Sequence, residues 1–218
     1  MKKIVIFFFL IFSISFGKVY KEKDIQEMYE NMGLKGELSY QAFSQGFRGM
    51  AHIKARKTNL LTIIDFTKPS TSRRLFIFDM SRKKLILSSH VSHGKGSGGL
   101  YATSFSNVEG SYKSSDGFFL TGNAYMGKNG YSLRLHGLEK GRNDNAYART
   151  LVIHSSQYSS QEFGRIHGRL GRSLGCYTVP EYLNHRIINM LKNNQVFYVH
   201  SQGLHYANYK KLLTQEQK

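Results

Sequence analysis

Residues 60–90, LLTIIDFTKPSTSRRLFIFDMSRKKLILSSH, contain three short apolar runs that are separated by polar or turn-forming residues. Runs of this length and spacing are typical of β-strands, and the basic turn after the second run predicts a hairpin. Four similar runs follow, at residues 117–120, 132–135, 150–154 and 196–200. The sequence therefore predicts a mainly β domain with at least seven strands.

Helical patterns flank these strands. Residues 22–33 place apolar side chains at helical spacing and end at a glycine, which is typical of a helix C-cap. A second helix is predicted from Ser39. A third is predicted after Pro180, with Thr178 as its N-cap and Glu181 completing a capping box. The last prediction would put the positive end of a helix dipole close to Cys176.

The first seventeen residues, MKKIVIFFFLIFSISFG, have the pattern of a secretory signal peptide. Two lysines precede an apolar run, and small residues stand near its end. The run is too short for a permanent anchor, because a transmembrane helix needs about 20 apolar residues. We expect an exported protein of the periplasm or cell envelope, without a stable membrane anchor.

The sequence pattern divides the whole chain into four parts. We expect a signal peptide at residues 1–17, a helical segment at 18–57, a main β domain at 58–202 and a polar tail at 203–218. The boundary near residue 57 follows from a polar, basic stretch between the second helix and the first strand.

The charge of the chain is strongly positive, with 31 Lys and Arg against 14 Asp and Glu and a formal net charge of +17. Loss of the two signal-peptide lysines would leave +15. Such an excess favours polyanionic partners: nucleic acid, an acidic lipid surface or an anionic wall polymer. Because export removes the protein from most nucleic acid, we expect an envelope partner and no nucleic acid.

Cys176 is the only cysteine, so it cannot form a disulfide within the chain. It is either a buried, inert residue or a reactive thiol. A thiol becomes a nucleophile when a histidine or a helix N-terminus lowers its pKa. His154, at the end of the apolar run LVI, is the preferred base, and His167 is the competitor. The turn formed by Leu174, Gly175 and Cys176 can offer successive backbone N–H groups to an oxyanion.

The segments around this cysteine supply candidate substrate-binding residues. Arg172 and Ser173 are expected to orient the turn or the substrate, and His93 and His167 are expected near the substrate groove. Histidine is a common zinc ligand, and the chain offers His90, His93 and His154, but no carboxylate or second cysteine accompanies them at a recognised spacing. We therefore expect no metal and no cofactor.

The motif IHSS followed by GRSLGC resembles the active-site motif of the L,D-transpeptidases, the YkuD-type cysteine enzymes of bacterial peptidoglycan. The chain is most similar to the murein L,D-transpeptidase catalytic domain subgroup. With this subgroup it shares TIIDFTKPST, LYATSFSN, GYSLRLHGLEKG and NDNAYAR. The resemblance runs from about Leu38 to His200. It implies a β-sandwich with a few helices, two of them N-terminal and one after the cysteine, and makes residues 58–202 the catalytic domain.

The resemblance also implies roles for individual residues. Cys176 matches the nucleophile, His154 the base, and Ser155 the residue whose backbone carbonyl orients the imidazole. Leu174, Gly175 and Cys176 match the oxyanion-hole amides. Leu174 stands where most of the superfamily has a second histidine, so that the role of this histidine is either absent or supplied by another group such as His167 or His93. The gap between His154 and Cys176 is also longer than usual, so that residues 157–170 form a possible extra lid.

The reaction that the resemblance implies is acyl transfer on peptidoglycan stem peptides. The thiolate attacks the carbonyl between meso-diaminopimelate and the terminal D-Ala of a tetrapeptide, and a thioester forms. An amine acceptor then gives a cross-link. The alternatives are an L,D-carboxypeptidase, in which water gives a tripeptide, and a non-catalytic wall-binding protein. We expect the protein to act as a monomer.

Overall fold

The computed structural model describes residues 20–206 and residue 209, in which eight strands form one mixed sheet. The strands are Leu60–Asp65 (β1), Leu75–Asp79 (β2), Lys84–Ser89 (β3), Gly117–Gly127 (β4), Gly130–Gly137 (β5), Val152–Ser155 (β6), Tyr177–Val179 (β7) and Val196–His200 (β8). Their order across the sheet is β3-β2-β1-β8-β4-β5-β6-β7. The predicted mainly β fold is confirmed, and so is the β2–β3 hairpin.

Four α-helices accompany the sheet within the described residues. They are Glu22–Asn31 (α1), Tyr40–His52 (α2), Gln161–His167 (α3) and Glu181–Leu191 (α4). Both predicted N-terminal helices are confirmed, and Ser39 caps α2 by accepting a hydrogen bond from the Ala42 amide. The predicted helix after Pro180 is α4. The sequence did not predict α3, which lies in the long segment before Cys176.

Most neighbouring strands in the sheet are antiparallel. The two edges of the sheet also meet. The chain that leaves β3 forms an antiparallel bridge with β7 at the opposite edge, between Ser92 and Thr178. The Ser92 amide donates to the Thr178 carbonyl at 2.8 Å. The predicted sandwich thus takes the form of one curled sheet whose edges are joined.

Two apolar cores lie on opposite faces of the sheet. Phe118 and Tyr198 belong to the core that α1 and α2 cover, whereas Phe119 and Phe197 belong to the core that contains the buried side of α4. Adjacent strand residues point to opposite faces, so β4 and β8 contribute to both cores. This explains why these strands are continuous apolar runs rather than alternating ones.

The predicted capping box at Thr178 and Glu181 is wrong. Thr178 lies in β7, and its Oγ1 is 2.6 Å from Ser159 Oγ. The N-cap of α4 is Pro180, which makes no side-chain capping bond. Pairing with β6 keeps the backbone extended as far as Val179, so a strand separates Cys176 from the start of α4.

The ends of the chain are described only in part. The predicted signal peptide at residues 1–17 lies outside the described residues. At the start of the predicted tail, Leu204 is buried and Tyr206 donates to Glu139 Oε1 at 2.6 Å. None of the helices found in residues 20–206 has both the length and the apolar character needed to cross a membrane.

The contact between α2 and the sheet leads to a stability prediction. A Cβ atom on Gly49 would lie 2.0 Å from Phe118 Cζ, inside the aromatic ring's van der Waals surface. On Gly46 it would lie 3.0 Å from both Ile63 Cδ1 and Tyr198 Cδ1. We expect Gly49→Ala to lower the free energy of unfolding by about 1–3 kcal/mol, as overpacking does. Gly46→Ala should cost less, because its closest contacts are longer and alanine favours the helix by about 1 kcal/mol. Urea denaturation of both variants measures the difference, and equal losses would contradict this packing.

Candidate active site

The β6–β7 pair brings Cys176 and His154 to the same face of the sheet. The parallel register joins Ile153 to Tyr177 and His154 to Thr178. Ile153 and Tyr177 point into a core, so the residues on either side of them point the other way. Cys176 comes one residue before β7 and lies beside Val152. Two residues that are 22 positions apart in the chain are therefore neighbours across one strand pair.

Both side chains line one cavity with a volume of about 740 Å³. Arg172, Ser173 and Leu174, which precede the cysteine, also line it. Leu174 is 65% exposed, so an apolar side chain stands at the rim where the resemblance implied a histidine. Four of the residues named from the sequence thus share a cavity with the candidate base.

His154 is held in one tautomer by its own strand. Its side chain is 7% exposed, and Nδ1 lies 2.8 Å from the Ser155 carbonyl oxygen. A carbonyl can only accept, so Nδ1 carries the hydrogen and Nε2 of the neutral ring is an acceptor. Burial lowers the pKa of His154, although the bond to Ser155 opposes this shift. At neutral pH the imidazole is therefore uncharged and ready to accept a proton at Nε2.

The Cys176 thiol rests against a backbone carbonyl rather than against the imidazole. Its Sγ lies 3.6 Å from the Thr150 oxygen and donates to it. Burial raises the pKa of the thiol, while hydrogen bonds from the Val152 and Cys176 backbone and the positive charge of Arg149 act in the opposite direction. The resting site thus holds a neutral thiol and a neutral imidazole, without the helix dipole that the sequence predicted.

Thr150, the acceptor of the thiol, has an unusual backbone. Its φ is +53°, in the left-handed region that a β-branched residue rarely adopts. Such a conformation costs about 1–3 kcal/mol and persists only where the surrounding structure imposes it. Here the Thr150 amide donates to the Tyr147 carbonyl at 3.0 Å, and the Leu151 amide donates to Ala146 at 2.9 Å. These bonds turn the Thr150 carbonyl towards the thiol.

The turn before the cysteine requires glycine at position 175. Gly175 has a φ of +136°, and a Cβ atom there would lie 2.9 Å from the Leu151 side chain. Its amide donates to Ser173 Oγ at 3.0 Å, and Ser173 Oγ donates to the Cys176 carbonyl at 2.6 Å. Of the three predicted oxyanion amides, that of Gly175 is therefore occupied within the turn. The other two predicted amides are those of Leu174 and Cys176.

The middle segment, the glycine- and serine-rich residues 92–115, supports this turn. Ser114 Oγ donates to the Gly175 carbonyl at 2.8 Å and accepts from the Gly94 amide at 3.0 Å. Sequence reasoning did not single out Ser114, which lies in the segment SSDGFF at residues 114–119. Nothing in this segment's sequence shows that a hydroxyl reaches the cysteine turn.

Arg149 is a second residue that sequence reasoning missed. It lines the cavity, and its guanidinium donates to the Ser106 and Lys113 carbonyls at 2.5 and 2.8 Å and to Ser115 Oγ at 2.8 Å. Its Nε is buried without a partner among the described residues. Arg149 therefore ties the middle segment to the strand that carries His154 and places a positive charge near the thiol.

His93 and His167 are not brought to this cavity. His93 is 1% exposed; Nδ1 accepts from Arg74 at 2.8 Å, and burial with the Arg74 charge lowers the pKa of His93 to about 3. Its carbonyl accepts from the Ser173 amide at 3.0 Å, so its contact with the site is through the backbone. His167 lies on α3, where its ring packs against the Phe163 ring with 4.1 Å between the ring centroids. Among the described residues, no group of three His, Cys, Asp or Glu is arranged to hold a metal ion.

The long segment between His154 and Cys176 is fastened to the body of the protein. Ser159 Oγ is buried and lies 2.9 Å from Ser92 Oγ and 2.6 Å from Thr178 Oγ1. Near its other end, the Leu170 amide donates to Ser70 Oγ at 3.1 Å. Tyr158 lines the cavity. The segment thus forms one wall of the cavity and is anchored at both ends.

Comparison with known proteins identifies relatives of this architecture. A family model described as L,D-transpeptidase catalytic domain matches residues 34–200. A comparison with curated protein sequences gave no significant match.

Solved structures similar to this chain include three with low sequence identity. An L,D-transpeptidase from Mycobacterium smegmatis is 12% identical, with 66% of this chain and 59% of that chain covered and a TM-score of 0.40. The helical cell shape determining protein Pgp2 from Campylobacter jejuni is 11% identical, with 76% and 58% covered and a TM-score of 0.43. L,D-transpeptidase (Yku) from Stackebrandtia nassauensis is 12% identical, with 83% and 78% covered and a TM-score of 0.40. The chain spans about three fifths of the length of the first two.

The burial of the thiol leads to a prediction about its ionisation. We expect the rate of Cys176 alkylation by iodoacetamide, followed against pH, to have its midpoint above the ordinary thiol value of 9.0, because burial disfavours the thiolate. His154→Gln should leave this midpoint nearly unchanged, because the uncharged imidazole does not stabilise a thiolate. A midpoint below the ordinary value that rises in His154→Gln would instead indicate a thiolate–imidazolium pair.

Proposed function

Because the chain belongs to the L,D-transpeptidase catalytic domain family, we propose that it transfers acyl groups of peptidoglycan stem peptides through a thioester at Cys176. One observation carries this proposal: the single thiol and a histidine with an acceptor Nε2 line the same cavity. The strongly positive charge agrees with a substrate that carries several carboxylates. Export by the segment at residues 1–17 to the cell envelope is part of the same proposal, since the substrate lies there.

In the first step, the Cys176 side chain turns from the Thr150 carbonyl towards the imidazole. Hydrogen bonds between catalytic groups are often long or absent without substrate and tighten when it binds. His154 Nε2 takes the thiol proton as Sγ attacks the carbonyl between diaminopimelate and the terminal D-Ala. The carbonyl oxygen becomes an oxyanion, which the Leu174 and Cys176 amides are placed to stabilise.

In the second step, the C–N bond of the tetrahedral intermediate breaks. The imidazolium of His154 gives its proton to the leaving amine of D-Ala, and a thioester remains on Cys176. The Ser155 carbonyl keeps Nδ1 protonated throughout and stabilises the imidazolium while it exists. This is the role of the third residue in nucleophile–base–orienter triads.

The thioester is then released by a second nucleophile. An amine of a neighbouring stem attacks it in cross-linking, whereas water attacks it in carboxypeptidase action. His154 accepts the proton of either nucleophile and returns it to the Cys176 sulfur as the C–S bond breaks. We propose the amine as the acceptor because transpeptidation is the activity that the matched family description gives. Mass analysis of the products formed from tetrapeptide muropeptides, with and without an added amine acceptor, separates cross-linked from tripeptide products.

Substitution of the two reacting residues tests the proposal directly. We expect the wild-type protein to gain the mass of an acyl group when mixed with a tetrapeptide muropeptide. Cys176→Ala should gain none, and His154→Gln should acylate about 10²- to 10⁴-fold more slowly, which is the usual contribution of a general base. His185→Gln, at an exposed histidine of α4, is the matched control and should react like the wild type. Full acylation of Cys176→Ala would refute the assignment, and no acylation of the folded wild type would favour a non-catalytic wall-binding protein.

The pH dependence of acylation follows from the state of His154. Acylation requires the neutral imidazole, and burial lowers the pKa of His154 from its ordinary value of 6.5. As pH falls, the rate should hold through 6.5 and decline only as pH passes the lowered pKa. Rates of thioester formation between pH 4 and pH 8 measure this, with the unfolding transition followed at each pH as a control. An acid limb centred above 6.5 would contradict a base that is neutral at rest.

A further inference from the structure

The cavity around Cys176 is lined by four cations, Lys128, Arg134, Arg149 and Arg172, and the part of the chain that the structure describes adds no Asp or Glu to its lining. Two of the arginines are committed to the protein. Arg149 donates hydrogen bonds to the middle segment, and Arg172 donates to the Gly98 carbonyl at 3.0 Å. Lys128 stands at the exposed β4–β5 turn. Arg134 differs from these three.

Arg134 is held by aromatic rings instead of by hydrogen-bond acceptors. Its guanidinium carbon lies 4.3 Å from the centroid of the Tyr125 ring and 5.2 Å from that of Tyr147. Tyr147 also stacks on His136 at 5.0 Å, which fixes the outer ring. A cation–π contact is made with the face of the aromatic ring and needs no N–H···O hydrogen bond, so the guanidinium N–H groups stay available for another acceptor. These donors have no acceptor among the described residues.

The sheet register places Arg134 on the same line as the thiol. Arg134 is paired with Val152 across β5 and β6, and the Val152 backbone contacts the Cys176 thiol. All three residues line the cavity. Two strand spacings separate the Cα atoms of Arg134 and Cys176 by about 10 Å. An extended peptide covers about 3.3–3.6 Å per residue, so carboxylates next to the attacked bond come within reach.

A bulge in β4 fits this arrangement. The register between β4 and β5 shifts between Thr121 and Ala124, so that two residues of β4 stand opposite Arg134. One of them is Gly122, at which a Cβ atom would lie 3.1 Å from Arg134 Cβ. Bulges of this kind often re-aim a side chain next to a site. The chain thus gives Arg134 both the room and the direction to face the cavity.

We propose that Arg134, which makes cation–π contacts with Tyr125 and Tyr147, is the carboxylate-binding residue of the Cys176 cavity. It anchors a free carboxylate of the stem peptide. The planar fork of a guanidinium matches the two oxygens of a carboxylate. The proposal rests on the proposed function for the identity of the peptide. The carboxylate belongs either to the diaminopimelate side chain or to the terminal D-Ala.

Binding to an inactive protein tests this inference separately from turnover. In the Cys176→Ala background, isothermal titration calorimetry gives the Kd of a stem tetrapeptide. We expect Arg134→Met to raise this Kd about 10- to 100-fold, the usual size of a charged hydrogen-bond contribution. Arg186→Met, at an exposed arginine of α4, removes the same charge and should change the Kd by less than about threefold, because distant exposed charges are screened. Equal Kd values for Arg134→Met and its parent, or equal rises in both variants, would overturn the inference.

Arg134→Lys keeps the charge and the folded sheet but loses the fork, so it should also bind more weakly than its parent. If Arg134→Met does not fold by circular dichroism, this variant decides, and an unchanged Kd in it would overturn the inference. Acylation of the wild-type protein decides the proposed function independently.

Amidated peptides identify which carboxylate is bound. One peptide carries an amide on the diaminopimelate side chain, and another ends in D-alaninamide. One of these peptides lacks the carboxylate that Arg134 binds. For that peptide, the Kd of the parent should rise to the Kd that Arg134→Met has for the unmodified peptide. The Kd of Arg134→Met should be the same for both peptides. A full effect of Arg134→Met on both amidated peptides would contradict recognition of either of these two carboxylates.

The cation–π contact between Tyr147 and Arg134 has a matched test of its own. Tyr147→Phe keeps the ring over Arg134, whereas Tyr147→Leu removes it. We expect Tyr147→Leu to raise the Kd about two- to fivefold, as loss of an exposed cation–π contact does, and Tyr147→Phe to bind like the parent. Equal Kd values for the two variants would show that the ring does not hold Arg134.

Discussion

The parallel pairing of β6 with β7 is the contact on which the candidate site depends. Only three residue pairs form it, from Ile153 with Tyr177 to Ser155 with Val179. Parallel neighbours need a crossover connection of about a dozen residues or more, because the chain must return to the same end of the sheet. Residues 156–176 supply this crossover and include α3. The length of the segment is therefore partly a geometric requirement for bringing the cysteine beside the histidine.

Hydrogen bonds, in addition to apolar packing on the core side, keep the surroundings of this short pair in place. Ser114 links Gly94 to Gly175, and Ser159 links Ser92 to Thr178. Buried hydroxyls must find partners, so each of them fixes the two segments that it joins. A glycine- and serine-rich stretch that contributes few large side chains thereby becomes a rigid support. Small residues let the backbones approach closely, and hydroxyls satisfy the polar groups that meet there.

The parts that sequence reasoning predicted well are those with a strong local period. The runs of β1, β2 and β3 and the apolar stripe of α2 are long enough for pattern alone to identify them. β7 was missed because three residues carry almost no period, and Thr178 followed by Glu181 has the local pattern of a capping box. Pairing with β6, a tertiary contact, decided for the strand. Local propensity has little weight against such pairing.

The site divides in the same way. The motif placed Cys176 and His154 together because both belong to one recognisable constellation. The surroundings of His93 could not be read from its neighbours in the chain, since Arg74, which holds its ring, is 19 residues away and directly precedes β2. Arg134 lies in a shared motif, GYSLRLHGLEKG, yet its face of the sheet and its two aromatic neighbours depend on register and on a distant loop. Motifs therefore identify the groups, while the sheet determines which of them meet.

The half-buried thiol at the Thr150 carbonyl also bears on how this protein survives oxidants. Peroxides attack the thiolate far faster than the thiol, and burial keeps Cys176 mostly protonated at neutral pH. A sulfenic acid is rescued by a second thiol, but this chain has no other cysteine to form a disulfide with. Further oxidation would be irreversible. A thiol that stays protonated is thus spared damage for which the chain carries no repair partner.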